Sequence, residues 1–318
     1  MNGVVKRGRR VASFGECMLE LQGEAFGNMR QTYGGDTLNT SVYLARCGRA
    51  QGLQVDYATA LGDDSLSTGL LQRWQAEGLG TGLVRRLPGR LPGLYLIEVD
   101  AQGERQFSYW RDQAAARAYF DTPAGGTPLE QQADELDGIY FSGISLAILP
   151  AAAQARLLAV AQRVRERGAL VAFDNNYRPR LWPDGQSARN AFTAAIAVCT
   201  LALMTLDDEQ ALWGEPDANQ QLQRTLGLRV PELVVKRGAA PTLVRGADGV
   251  VQEVPTVTVP QVVDTTAAGD SFAGAYLAAR LNGKAAVEAA AAGNRLAARV
   301  VQHRGAVLPL SAMADLMA

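Results

Sequence analysis

The sequence is poor in residues that many classes of enzyme depend on. It has one histidine, His303, and three cysteines in 318 residues. A single histidine in a C-terminal helical segment leaves Ser-His-Asp catalysis and histidine-rich metal sites without the residues that they require. The cysteines are odd in number and have no CxxC spacing. This argues against a disulfide framework or a zinc site and favours a reducing compartment.

The chain also lacks an excess of charge and a long apolar run. It has 31 basic and 32 acidic residues, so nothing in its net charge attracts nucleic acid or an anionic membrane. The charge-free run from Ala191 to Leu206 is shorter than the roughly 20 residues of a membrane helix. Glu16 and Glu20 interrupt the first apolar stretch too early for a secretory signal. We expect a cytoplasmic protein without a nucleic-acid or membrane partner.

What the chain does contain is an alternation of short apolar runs with longer alanine- and leucine-rich segments of helical period. Such alternation predicts βαβ units, a mostly parallel sheet and the α/β class. The predicted strands are 11–14, 55–60, 138–141, 170–173, 201–204, 233–236 and 242–245. The predicted helices are 37–47, 66–75, 150–167, 208–213, 271–281 and 285–301.

Two segments, residues 16–33 and 93–112, depart from this rhythm with shorter alternations. In the second, Leu94–Val99 and Gln106–Trp110 flank the polar turn Asp100–Gly103, which is typical of a hairpin. We expect the two segments to form a small antiparallel sheet beside a crevice. A sheet in that position is suited to act as a lid.

The stretch "DTTAAGD" (residues 264–270) carries the most specific chemistry in the sequence. The apolar pair Val262-Val263 predicts a short strand before it, and a helix follows from Ser271. At the start of a helix the amides of Ala267, Ala268, Gly269 and Asp270 would lack carbonyl partners and favour an anion. Small side chains let a phosphate approach the backbone.

Asp270 stands beside this predicted anion hole. Its carboxylate could accept a proton from a hydroxyl while the amides hold the phosphate that the hydroxyl attacks. The plainer interpretation is a helix-capping aspartate, which is common at such positions.

At these residues the sequence resembles the PfkB (ribokinase-like) family of carbohydrate kinases over nearly its whole length. "DTTAAGDSFAGAYLA" is similar to the C-terminal signature, usually DTxGAGD, with Ala267 in place of the first glycine. The anion hole is expected to survive this change if Ala267 has a negative φ. The N-terminal signature is recognisable in residues 33–48, where Gly34 and Gly35 would let the backbone approach a sugar and Asp36 and Asn39 would bind hydroxyls.

The resemblance implies one ribokinase-like domain over residues 1–318, a three-layer α/β/α sandwich with a mostly parallel central sheet and a small antiparallel β lid. Three further stretches are similar to family members that phosphorylate the sugar acid 2-keto-3-deoxygluconate. They imply sugar contacts from Tyr95, Tyr109, Arg111 and Arg178. A planar guanidinium suits a carboxylate. Without the resemblance, surface ion pairs with Asp112 and Asp174 would explain the two arginines better.

The resemblance also implies an ATP site with magnesium. Lys236, Gly238 and Asn294 would flank the nucleotide. The family's NxxE motif is replaced by a TxxD pattern, in which Thr205 and Asp208 take the corresponding places. Asp208 is therefore the candidate metal ligand. Magnesium is expected because the charge of the ATP phosphates must be neutralised.

The sequence thus predicts an ATP-dependent kinase that phosphorylates the 6-hydroxyl of 2-keto-3-deoxygluconate, with Asp270 as the base. Two alternatives stay open. One is the same reaction on a neutral sugar such as fructose or ribose, and the other is a catalytically silent sugar sensor on the same fold. The resemblance further implies a homo-oligomer that pairs through the lid sheet.

Overall fold

The computed structural model describes residues 8–24, 26–99 and 105–316. Strands and helices alternate along most of this length, as the periodicity predicts. The strands are β1 (Arg10–Phe14), β2 (Met18–Gly23), β3 (Met29–Gly34), β4 (Gln54–Leu61), β5 (Leu79–Gly80), β6 (Val84–Arg86), β7 (Gly93–Val99), β8 (Arg105–Trp110), β9 (Gly138–Ser142), β10 (Leu170–Asp174), β11 (Leu201–Thr205), β12 (Glu232–Arg237), β13 (Ala240–Arg245) and β14 (Val251–Val254).

The α-helices are α1 (Asp36–Gly48), α2 (Ser65–Ala76), α3 (Pro128–Gln131), α4 (Gly143–Ala147), α5 (Ala151–Glu166), α6 (Gly185–Val198), α7 (Leu206–Trp213), α8 (Ala218–Leu226), α9 (Ala268–Leu281) and α10 (Ala286–Val300). In the described parts of the chain, no helix is both long and apolar enough to cross a membrane.

The central sheet has the strand order β14-β13-β12-β11-β10-β9-β1-β4-β5, and β6 also pairs with β4. The pairs from β12 to β5 are parallel, and β13 and β14 add an antiparallel edge. The predicted mostly parallel sheet is confirmed. The strand predicted at Val262-Val263 is wrong, because both residues lie in an exposed irregular segment before α9.

Both faces of the central sheet are buried, which is why its strands are nearly continuous apolar runs. In β10, Val171 and Phe173 pack into a core beneath helices α5 to α8. Ala172, between them, packs into a second core beneath α1, α2, α9 and α10. The predicted three-layer α/β/α sandwich is confirmed.

A second sheet, which we call the lid sheet, has the order β3-β2-β7-β8. Two antiparallel hairpins, β2–β3 and β7–β8, are joined by a parallel pairing of β2 with β7. Met18, Gly34, Gly93 and Trp110 lie at the end of the sheet that adjoins the central domain, which we call the lid base. The small sheet predicted from two separate segments is confirmed, its role as a lid stays a prediction, and its predicted turn at Asp100–Gly103 lies outside the described residues.

Helices α1 and α9 pack closely because Gly274 has no side chain. A Cβ at Gly274 would lie 2.6 Å from the Cβ of Tyr43 and 2.9 Å from the carbonyl oxygen of Thr40. Each helix brings one side chain of the candidate site, Asn39 from α1 and Asp270 from α9. The contact between the helices therefore fixes the distance between these two groups.

We expect Gly274→Ala to lower the free energy of unfolding by about 1–3 kcal/mol, since the added methyl group overpacks this contact. Urea unfolding measures the change. Gly69→Ala is the matched control in α2, where the new Cβ would meet only the flexible end of Arg73, and it should stabilise the helix by up to about 1 kcal/mol. An unchanged stability of Gly274→Ala would show that the two helices separate without cost.

Candidate active site

The candidate site lies where the carboxyl ends of the parallel strands meet the N-termini of α1 and α9. Ser142 ends β9, Asp174 ends β10 and Thr205 ends β11, while Asp36 begins α1. This edge of an open α/β sheet is where ligands bind in such folds. The fold therefore collects polar side chains from distant parts of the sequence.

The predicted anion hole lies at the start of α9. Among the described residues, no carbonyl accepts the amides of Ala267, Gly269 or Asp270. The amide of Ala268 donates to Thr265 O at 3.2 Å, and the first helical bond runs from Ser271 N to Ala267 O at 2.8 Å. Three of the four predicted amides can thus receive an anion.

Ala267 differs from the expectation about its backbone. Its φ is +59°, in the left-handed region that glycine favours and alanine adopts at a cost of about 1–2 kcal/mol. The expectation that the anion hole requires a negative φ at Ala267 is therefore wrong. A left-handed residue next to helical ones makes successive amides converge, so the positive φ forms the concave amide surface and leaves the Ala267 amide free.

Asp264, the first residue of the motif, builds the turn that precedes α9. Its Oδ1 accepts hydrogen bonds from Thr266 N at 3.0 Å and Thr266 Oγ1 at 2.7 Å. Its Oδ2 accepts from Gly305 N at 3.1 Å. Asp264 is thus a structural residue of the site that was not predicted, although its place in the motif was a signal.

Asp270 is half-buried, and its Oδ2 accepts a hydrogen bond from Asn39 Nδ2 at 2.9 Å. Burial, with the negative charge of Asp36 next in importance, raises the pKa of Asp270 to about 8, against the lowering effects of Asn39 and Lys236. A carboxyl group with a pKa in this range can take up a proton near neutral pH. The geometry therefore suits a general base.

The carboxylate of Asp36 is held by two donors that no local sequence pattern indicated. Its Oδ2 accepts hydrogen bonds from Ser142 Oγ and from Asn176 Nδ2, the latter at 2.8 Å. Asn176 has an unusual φ of +28°. Asn175 fixes this bend, because its Oδ1 accepts from the amides of Asn176 and Thr205, each at 2.9 Å.

Gly34, Asn39 and Tyr95 converge on one small polar space. A Cβ at Gly34 would lie 3.2 Å from Tyr95 Oη and 4.0 Å from Asn39 Oδ1. Asn39 Oδ1 is buried and has no donor among the described residues. Gly35 has a separate role, since a Cβ there would lie 2.1 Å from Glu16 O. A side chain at this position would force the backbone segments at Gly35 and Glu16 apart.

The tyrosines predicted from the lid stand together on it. The rings of Tyr95 and Tyr109 are 5.9 Å apart. Tyr95 Oη donates to Glu20, which also accepts from Thr32 Oγ1 at 2.9 Å. Tyr109 is 47% exposed. The hydroxyl of Tyr95 is thus oriented by Glu20, a residue that the sequence analysis did not include in the site.

Arg111 lies at the lid base in a buried ion pair with Glu16. Its Nη2 donates to Glu16 Oε2, and the two side chains are 8% and 1% exposed. Arg111 Nε and Glu16 Oε1 are buried without hydrogen-bond partners among the described residues. The charge predicted to bind a substrate carboxylate already has a protein partner.

Arg178 lies on the surface beside Asp208. Its Nη1 donates to Tyr177 O at 2.8 Å and to Asp208 Oδ1 at 3.4 Å, and its side chain is 52% exposed. Burial raises the pKa of Asp208, and the Arg178 charge lowers it. The structure thus places a predicted sugar contact against the predicted metal ligand.

The residues at the TxxD pattern fit a magnesium ion that takes one protein ligand and the rest from substrate phosphates and water. Asp208 Oδ2 also accepts from Tyr177 N at 3.2 Å. Within the described ranges, no group of three or more carboxylate, histidine or cysteine side chains could hold a metal ion. Magnesium in kinases is usually bound by one or two carboxylates together with substrate phosphates. A single carboxylate from Asp208 is consistent with that arrangement.

The predicted nucleotide contacts have different surroundings. Lys236 lies near the end of β12, and its Nζ donates to Asp174 Oδ2 at 2.7 Å. Gly238 forms the exposed turn to β13 with a φ of +59°. Asn294 is buried, donates to Val254 O at 3.3 Å and Pro255 O at 3.0 Å, and so uses both amide donors to fasten the segment after β14.

Comparison with known proteins places this chain in a family. A family model described as pfkB family carbohydrate kinase matches residues 9–313. A protein named 2-dehydro-3-deoxygluconokinase from Dickeya dadantii is 49% identical over 307 residues, which cover 96% of this chain and 98% of the relative.

Two solved structures share the fold. A 2-dehydro-3-deoxygluconokinase from Thermotoga maritima has a TM-score of 0.81 at 21% identity and covers 98% of each chain. A putative Ribokinase II from E. coli, in complex with ATP and magnesium, has a TM-score of 0.80 at 21% identity and covers 97% of this chain and 99% of its own. The ribokinase-like fold predicted from the sequence is confirmed.

Proposed function

Because the chain belongs to the pfkB family of carbohydrate kinases, we propose that it transfers the γ-phosphoryl group of ATP to the 6-hydroxyl of 2-keto-3-deoxygluconate. This sugar acid is also called 2-dehydro-3-deoxygluconate, the substrate in the name of the 49% identical relative. The observation that carries the proposal is the pairing of three free amides at the start of α9 with the carboxyl group of Asp270.

In the proposed reaction Asp270 takes the proton of the attacking hydroxyl. The sugar oxygen forms a bond to the γ-phosphorus, and the bond from that phosphorus to the leaving oxygen of ADP breaks. The amides of Ala267, Gly269 and Asp270 donate to the transferred phosphoryl group as its charge redistributes. Such positioning and charge stabilisation account for most of the catalysis in phosphoryl transfer.

Recognition of the sugar is proposed to involve the lid base and its surroundings. Asn39 Oδ1, buried without a donor, would accept a sugar hydroxyl near Gly34 and Tyr95. Of the two arginines, Arg178 is the more accessible to a substrate carboxylate, since it is half exposed and only loosely paired. Arg111 would attract the substrate carboxylate while one edge of its guanidinium stays bound to Glu16.

The proposed nucleotide site uses magnesium, which neutralises charge on the ATP phosphates when bound. Asp208 would contribute one ligand, and Thr205 borders the same place at the end of β11. We further propose that the protein acts in the cytoplasm and that two copies pair through the lid sheet, where Phe107 and Trp110 are 42% and 60% exposed. Sedimentation of wild type against Trp110→Ser, measured at equal concentration, tests the pairing.

The pH dependence should follow ionisation of Asp270, since only the ionised carboxylate accepts a proton. With a pKa of about 8, kcat/KM should rise with pH and level off above about that value. Asp36→Asn removes the neighbouring negative charge, so the rising limb should move to lower pH. Asp63→Asn, at an exposed position, is the control and should leave the limb in place. If the rising limb stays at the same pH in Asp36→Asn, the proposed electrostatic coupling between Asp36 and Asp270 is contradicted.

A coupled assay of ADP release across a panel of sugars tests the proposed substrate. Turnover with 2-keto-3-deoxygluconate and little with fructose or ribose is the expected result. One observation favours the neutral-sugar alternative, because Glu16 neutralises Arg111. A preference for a neutral sugar would overturn the proposal, and an absence of sugar-dependent ADP release with all of them would favour the sensor.

A further inference from the structure

The ammonium group of Lys236 is fixed by a buried carboxylate. Its Nζ lies 2.7 Å from Asp174 Oδ2, and the two side chains are 12% and 6% exposed. Burial raises the pKa of Asp174, and the Lys236 charge lowers it. A charge removed from water in this way is costly unless it is paired, so each partner depends on the other.

The pair lies directly against the anion hole. A Cβ at Gly269 would be 3.6 Å from Lys236 Nζ, and the amide of Gly269 has no acceptor among the described residues. Because Gly269 has no side chain, nothing of its own separates the ammonium group from the start of α9. The negative charge of Asp174 raises the pKa of Asp270, and the positive charge of Lys236 lowers it.

The hydrogen-bond inventory of Lys236 leaves donors for a ligand. An ammonium group has three N–H donors, and in the described residues only Asp174 accepts from this one. Here two donors stay open beside Gly269, whose own amide has no acceptor among the described residues.

We propose that Lys236 is a catalytic residue that contacts the transferred phosphoryl group, and that Asp174 is a positioning residue that holds the ammonium group at the anion hole. This inference rests on the proposed kinase function. It moves Lys236 from the flank of the nucleotide, where sequence resemblance puts it, to the reacting phosphate. A fixed cation aimed at charge that develops in the transition state stabilises it without reorganisation.

The first test compares Lys236→Met with Lys284→Met. Lys284 is exposed beyond the opposite end of α9, so the same substitution there controls for loss of a lysine. Lys236→Met should lower kcat by about 10²–10³-fold, as loss of one transition-state donor does elsewhere, with the KM for the sugar nearly unchanged. Lys284→Met should keep wild-type kcat. A kcat within threefold of wild type in Lys236→Met would overturn the role of Lys236.

The second test is a double-mutant cycle with Asp174→Asn. This variant should lower kcat by about tenfold, and the double variant should be no slower than Lys236→Met alone, because Asp174 acts through the lysine. If the losses of kcat in the two single variants multiply in the double variant, the positioning role of Asp174 is overturned. If Asp174→Asn does not fold, calorimetry on Lys236→Gln replaces the cycle. The affinity of Lys236→Gln for the transition-state mimic, ADP with fluoroaluminate and sugar, should fall far more than its affinity for ADP alone. An equal fall in the two affinities would overturn the proposal.

Wild-type activity separates this inference from the function on which it rests. If wild type fails to phosphorylate the sugar acid or any sugar of the panel, the proposed function fails. If wild type is active and Lys236→Met is equally active, only the inference about Lys236 and Asp174 fails.

Discussion

Asp270→Asn is expected to lower kcat by about 10²–10⁴-fold, the usual contribution of a positioned general base. The amide has the size of the carboxyl group, and its oxygen can still accept the hydrogen bond from Asn39 Nδ2. The KM for the sugar and the affinity for ADP should therefore change little. Steady-state kinetics with calorimetric titration of ADP measure the three quantities.

The same substitution should stabilise the protein at alkaline pH. In the unfolded chain an aspartate titrates near 3.9, whereas in the folded protein Asp270 titrates at about 8. Its contribution to stability is therefore complete below about pH 4 and is lost as the pH rises to about 8. Asparagine does not ionise, so the Tm of Asp270→Asn should exceed that of wild type by a margin that grows from pH 5 to pH 9.

Asp63→Asn is the control, since its carboxylate is exposed and the variant should match wild type in both kcat and Tm. Near-normal turnover in Asp270→Asn would remove Asp270 from the role of base. An unchanged Tm at pH 9 would instead show that the carboxylate is stabilised as well in the protein as in water.

Arg111→Met is expected to lower the free energy of unfolding by about 3–5 kcal/mol, because it leaves the charge of Glu16 buried without its partner. The side chain of Glu16 is 1% exposed, so water cannot replace the lost guanidinium. Burial already raises the pKa of Glu16 against the lowering effect of Arg111. The loss of stability should therefore be smaller at low pH, where Glu16 can take up a proton.

The double variant Arg111→Met with Glu16→Gln separates stability from recognition. It should recover most of the lost stability in urea unfolding, while the KM for the sugar acid stays raised because no guanidinium remains at the lid base. Arg163→Met, which breaks the exposed pair with Asp134, is the matched control and should cost no more than about 1 kcal/mol. Full recovery of the KM in the double variant would restrict Arg111 to a structural role.

The apolar pattern was sufficient to predict the layers of the fold. Strands such as β10 and β11 are buried on both faces, so they appear as uninterrupted apolar runs. Helix α8 was not predicted because its buried residues include the polar Gln221 and Thr225. The short edge strand β14 was missed for a related reason, since three of its four residues are exposed.

The site was predictable only where a local motif carries the chemistry. "DTTAAGD" indicated both the amides and Asp270 because they lie within a few residues of one another. Asn39 and Asp270 are 231 residues apart, and no local pattern indicates that they form a hydrogen bond. Glu16 and Ser142 were missed because a polar residue at or just beyond the end of a strand has the same appearance in a sequence whether it faces water or another side chain of the site.

The lid base and the candidate sugar pocket share Gly34, which ends β3 and lies close to Tyr95 Oη and Asn39 Oδ1. The chain leaves the central domain after Glu16 and returns to it at Gly34. It leaves again at Gly93 and returns at Arg111. If the lid sheet moved away from the central domain, Tyr95 would move away from Asn39 and the small polar space between them would lose one wall. Sugar affinity would then fall in proportion to the fraction of molecules in which the lid is open, and a substitution that favours that state could weaken binding without touching the ligand.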